Sequence, residues 1–151
     1  MKPNLTTPVC ARPVARLLAG LLLSFSLGSA WAEMVIIVNP KNPVANMSAE
    51  QVSALFLGKS NVMPSGGTAA PVDQLEAGPL YEEFYAKVAG KSSSQVKAAW
   101  SRLTFSGKGT PPRAMASSVE IRKFVASNVD AIGYIEKSAA DASVKVVLSV
   151  N

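Results

Sequence analysis

Histidine is absent from all 151 residues, and cysteine occurs once, at position 10. These two absences exclude Ser-His-Asp and Cys-His catalysis, histidine metal sites and zinc clusters. Catalysis would then need Ser/Lys, carboxylate or metal-carboxylate chemistry, and no such constellation is assembled, so the chain reads as a non-enzyme without cofactor or metal. Long hydrophobic runs are also missing: the longest, Leu17 to Leu27, covers about eleven residues where a spanning helix needs roughly twenty. What remains is 48% hydrophobic and 17% charged, a globular composition that excludes disordered and disulfide-framework classes.

Lys2, Arg12 and Arg16 precede the apolar run, and Gly28-Ser29-Ala30-Trp31-Ala32 follows it. A charged start, a short apolar stretch and a small-x-small end are the features of a secretory signal peptide over residues 1–32, cleaved before Glu33. Cys10 lies ahead of the apolar run, so it is no lipid-anchor cysteine and leaves with the leader. The expected mature domain, 33–151, keeps twelve basic against ten acidic residues. Its net charge falls from +5 to +2 and its Lys and Arg are scattered, which argues against nucleic acid as a partner. The expected compartment is a periplasm, with no membrane insertion of the mature chain.

Met34 to Val38 is a continuous β-branched run closed by Asn39-Pro40, the pattern of a strand covered on both faces. Pro40 and Pro43 carry an extended linker to a capping box, Ser48-Ala49-Glu50-Gln51, and a helix with Val52, Leu55 and Phe56 on one face that stops at Gly58. Ala69 to Val72 reads as a second strand ending at Asp73. Gly78-Pro79 starts a helix with Leu80, Phe84 and Val88 at i, i+4, i+8, halted by Gly90. Ser92 to Gln95 caps a third helix facing inward with Val96, Trp100 and Leu103. Ser117 to Glu120 caps a fourth, with Ile121, Phe124 and Val125 inward, and Ala131–Ile135 and Val144–Leu148 are the last strands. The order predicts an α/β fold with about four strands.

Gly58-Lys59-Ser60 lacks the upstream glycine of a P-loop and sits at a helix end, so it reads as a helix stop. Ser106 to Pro112 cannot continue a helix. Its glycines let backbone amides converge, while Ser106, Lys108, Thr110 and Arg113 supply hydroxyl and cationic donors for an anion; an ordinary mobile connection is the other reading. Glu82 and Glu83 diverge on a helix and suit its N-terminus, and Asp73/Glu76 read as a polar turn. Trp100 and Tyr134 read as core residues.

Together, Val35-Ile36-Ile37-Val38-Asn39-Pro40 with Asn42-Pro43, Ser48 to Gln51, Leu55-Phe56-Leu57-Gly58-Lys59 and Val129 to Ile135 resemble the phosphate-type periplasmic substrate-binding proteins of ABC importers. The resemblance implies a single lobe of a type II periplasmic-binding-protein-like fold: a small mixed sheet flanked by about four helices. It also implies a link to phosphate ABC transport and binding of phosphate or another small anion. The family's gripping segment, an Arg followed by a Ser-Gly-Thr run, is here Asp73-Gln74-Leu75-Glu76-Ala77-Gly78-Pro79, which keeps the glycine and helix start only. The expected anion ligands are therefore Ser106, Gly107, Lys108, Thr110 and Arg113, joined by the Gly78 helix start. The rival expectation is a module that docks its cleft face onto a membrane sensor or transporter, or onto a second copy of itself, without binding solute.

Overall fold

The computed structural model of the chain describes Pro3, residues 32–76 and residues 78–151. The apolar run 17–27 and Ala77 lie outside the described residues, so the expected leader is not described beyond its edges.

Five strands form one mixed sheet: β1 (Met34–Val38), β2 (Ala70–Gln74), β3 (Arg113–Met115), β4 (Ala131–Glu136) and β5 (Lys145–Val150), in the spatial order β3-β2-β4-β1-β5. β2 pairs in parallel with β3 and β4, whereas β1 pairs antiparallel with β4 and β5. Among the described residues, the α-helices are α1 (Ala49–Phe56), α2 (Pro79–Phe84), α3 (Ser93–Phe105) and α4 (Ser118–Ser127).

The alternation of side chains along β1 separates two cores. Met34, Ile36 and Val38 join Val52, Phe56, Phe84, Val96 and Tyr134 on the side of α1 to α3. Val35 and Ile37 point the other way, against Ile121 and Val125 of α4. All five β1 residues are buried, which is why the run is apolar without alternation.

Local signals set most element ends. Ser48 and Ser92 each close a reciprocal capping box with the glutamine three residues on. At Ser117 the side chain accepts from the Glu120 amide, but the Glu120 carboxylate reaches back to the Ala116 amide instead of closing the box on Ser117. The helix expected from Gly78 to Gly90 is regular only to Phe84. It finishes in a π turn over Tyr85–Ala89, with the Tyr85 carbonyl accepting from the Gly90 and Lys91 amides.

The fifth strand, β3, corrects the expectation of about four. Its three residues pair with Val72, Asp73 and Gln74 through backbone bonds, and so short a segment carries no apolar period. Gly133 marks a close approach: a Cβ there would lie 2.5 Å from Ile121 Cγ2 and 3.0 Å from Val72 Cγ2, so α4 packs directly on the β4 backbone. Among the described residues, no helix is long and apolar enough to cross a membrane.

Candidate functional site

The parallel strands β2, β3 and β4 end at Gln74, Met115 and Glu136, and in open α/β sheets ligands bind outside such carboxyl ends. A crevice of about 470 Å³ lies there, lined among others by Gln74, Glu76, Gly78, Ser117, Ser118 and Glu136. Gln74 ties its floor together, donating from Nε2 to Ser118 Oγ at 3.2 Å and to the Tyr134 carbonyl at 3.3 Å. Gly78 stands at the start of α2 as expected, with its amide turned to the Leu75 carbonyl at 3.4 Å. Among the described residues, two carboxylates and no lysine or arginine line this crevice.

Asp73 does not sit in a polar turn; it is a buried carboxylate one residue before the end of β2. Its Oδ2 accepts from the Tyr85 hydroxyl at 2.6 Å, and its Oδ1 accepts from the Tyr134 hydroxyl and from the Gln74 amide at 3.0 Å. Around these groups Tyr134 stacks on Phe84 at 3.9 Å, and Phe56 meets Phe84 edge-on at 4.8 Å. Burial raises Asp73 from 3.8 to about 6, against the lowering effect of the Tyr134, Tyr85 and Gln74 hydrogen bonds. Both tyrosines are pushed far above the ordinary phenol range, first by burial and then by the adjacent carboxylate. They remain donors to Asp73.

The six expected anion ligands fall in four places. Ser106 and Gly107 close the end of α3: the Ser106, Gly107 and Lys108 amides donate to the carbonyls of Arg102, Thr104 and Leu103 at 3.0, 3.1 and 2.9 Å. These three amides therefore satisfy a helix C-terminus. Arg113 lies on β3, its guanidinium 5.6 Å from the Phe124 ring centre, beside Lys123 and Glu120. Gly78 lies at the strand-end crevice.

Lys108 and Thr110 go elsewhere, into a pocket of about 420 Å³ shared with Lys59, Ser60 and Asn61. Trp100 forms its wall, anchored by its indole N–H donating to the Phe56 carbonyl at 3.1 Å. Among the described residues, no carboxylate lines this pocket. Lys59, Ser60 and Asn61 are inconspicuous in the sequence because Gly58-Lys59 reads as a helix stop, and it is one. The available signal was the repetition: Gly58-Lys59 and Gly107-Lys108 each follow a helix end, and Trp100 brings the two ends together.

No protein-family model matches the chain, and no curated protein sequence matches it. Solved structures do. An ABC-type phosphate transport receptor from Vibrio cholerae superposes with a TM-score of 0.60 at 20% identity, over 77% of this chain and 46% of that one. A putative phosphate ABC transporter substrate-binding protein with bound phosphate from Clostridium perfringens gives 0.63 at 22% identity, over 77% and 45%. A possible phosphate-binding protein from Planctomyces limnophilus gives 0.57 at 16% identity, over 77% and 41%. The chain thus spans less than half the length of the solved proteins that it matches, and what it shares with them is the fold of phosphate-type substrate-binding proteins, in an extent that corresponds to one lobe.

Proposed function

We propose that this chain is a secreted, periplasmic domain of the substrate-binding type, related to phosphate ABC transport, that takes a small oxyanion weakly between Lys59 and Lys108. The observation that carries the reading is the contrast between two pockets on one fold. Among the described residues, the strand-end crevice presents Glu76 and Glu136, which repel an anion, whereas the pocket beside Trp100 is lined by Lys59 and Lys108, the Thr110 hydroxyl and the Asn61 amide with no carboxylate, its Ser60 hydroxyl donating to the Val62 carbonyl at 3.4 Å. The solved neighbours, described as phosphate receptors or phosphate-binding proteins, support an oxyanion as the ligand class. Binding, not turnover, is the activity.

The two lysines lie on exposed loops, and donors come from one side only. Affinity should therefore be on the order of 0.1 to 1 mM. Isothermal titration with phosphate, sulfate and methylphosphonate tests this. Lys59→Ala and Lys108→Ala should each weaken phosphate about ten-fold or more, as loss of one charge-assisted bond predicts. Arg113→Ala should leave it unchanged. Micromolar phosphate binding that ignores both lysines, a loss on Arg113→Ala, or no heat with any of the three anions would overturn the reading.

A further inference from the structure

We propose that the groove between α3 and the carboxyl end of β2 binds an organic amine carrying an aromatic ring, with its ammonium against Asp73 and its ring against Trp100 and Phe105. Of the residues that line the oxyanion pocket, this groove shares Trp100 alone. The groove holds about 560 Å³, enough for a small ring compound. Its walls are apolar: Tyr81, Val96, Trp100, Phe105, Pro111 and Pro112. Phe105 is 97% exposed, an aromatic ring that no packing within the described residues accounts for.

Charge selects the ligand. Asp73 lines the groove yet is only 6% exposed, and no ammonium or guanidinium pairs with it among the described residues. Lys97, the one cation among the described residues that line the groove, faces Glu76 at 3.6 Å. A buried carboxylate held only by neutral donors is costly, and its upward-shifted pKa reports that cost. Its bonds to Tyr85, Tyr134 and the Gln74 amide fill three of roughly four acceptor positions on a carboxylate, leaving one for a ligand N–H. An anion is repelled by the same group, and a neutral ring compound leaves the charge uncompensated.

The test compares three probes of one shape, phenethylamine, phenethyl alcohol and phenylacetate, by the shift of the Trp100 indole N–H resonance, assigned with Trp100→Phe. Phenethylamine should bind about ten-fold or more tighter than the alcohol, and phenylacetate weaker still. Asp73→Asn should collapse the preference for the amine over the alcohol. Because Asp73→Asn can disturb the core, Phe105→Ser on the exposed wall serves as the second variant, expected to weaken amine and alcohol together by about three-fold. Lys59→Ala should leave the amine unchanged, which separates this site from the oxyanion pocket. Equal binding of amine and alcohol, preference for phenylacetate, or no shift with any probe up to about 20 mM would overturn the proposal.

Discussion

The Tyr134 hydroxyl, on β4, donates to the Asp73 carboxylate on the neighbouring parallel strand β2, and both residues are withdrawn from solvent. This places an ionisable group inside the fold, with a measurable consequence. The folded-state value of about 6 lies above the ordinary 3.8, so between those values the folded chain holds a proton that the unfolded chain has lost. The stability Asp73 contributes is present below the lower value and is lost as pH rises through the upper one. The fold should be on the order of 2 kcal/mol more stable at about pH 4.5 than at about pH 7.5 through this group. Urea midpoints at the two pH values, for wild type and Asp73→Asn, measure it. Asp141, whose carboxyl is lowered chiefly by its Ser143 hydrogen bonds, acts in the opposite direction at lower pH in both proteins, so the difference between them isolates Asp73. An unchanged slope in Asp73→Asn would contradict the assignment.

Asn39 supplies a second prediction. It is 4% exposed, and its Nδ2 donates to the Val125 and Ala126 carbonyls at 2.9 and 2.8 Å while its Oδ1 accepts from the Lys41 amide. The side chain thus closes the C-terminal end of α4 from the loop after β1. Asn39→Ala strands those carbonyls and should cost about 1 to 3 kcal/mol. Asn39→Asp keeps the shape but sets a negative group against the negative end of the helix, and should be worse than alanine at neutral pH. Denaturant unfolding of the two variants checks the ranking, and an aspartate better than alanine would refute it.

These contacts explain which parts of the fold are legible in the chain. The string Val35 to Pro43 stands out because different contacts hold its parts: β1 is buried on both faces, Asn39 holds Val125 and Ala126, and Asn42 donates to Val129 at 2.9 Å. The capping boxes at Ser48 and Ser92 are local chemistry and appear at their expected positions. β3 is illegible because its pairing with β2 is carried by the backbone. The π turn at Tyr85 is hidden because the apolar spacing from Leu80 to Val88 suits a regular helix equally well. Asp73 looks like a turn residue because the two tyrosines that bury it lie 12 and 61 residues away. The expected anion loop divides for a similar reason: the glycine that frees its backbone also lets its amides fold back onto the end of α3.

Gly133 tests the close packing of α4 on the sheet. A methyl group there would overlap Ile121 Cγ2 on the helix and press on Val72 Cγ2 on β2, so neither side can yield without moving an element. Gly133→Ala should cost about 1 to 3 kcal/mol by overpacking. In a double-mutant cycle with Ile121→Ala the combined loss should be smaller than the sum of the single losses, since the cavity receives the added methyl. Additive losses would show that the contact is not the cause.

Structure and binding can be separated at the pocket beside Trp100. Gly58 has a φ of +69°, and a Cβ at this position would lie 2.7 Å from Trp100 Cη2 and 2.9 Å from Leu103 Cδ1. Gly58→Ala combines a left-handed backbone, which costs an L-residue about 1 to 2 kcal/mol, with displacement of the indole wall. It should therefore lower the melting temperature clearly and impair phosphate binding as a consequence. Its neighbour Lys59 is exposed, so Lys59→Ala should leave stability within about 0.5 kcal/mol of wild type while weakening phosphate. Thermal unfolding and titration run on both variants give the decision. If Lys59→Ala destabilises as much as Gly58→Ala, the lysine belongs to the helix end alone; if its melting curve is unmoved and its phosphate heat falls, the charge belongs to the ligand.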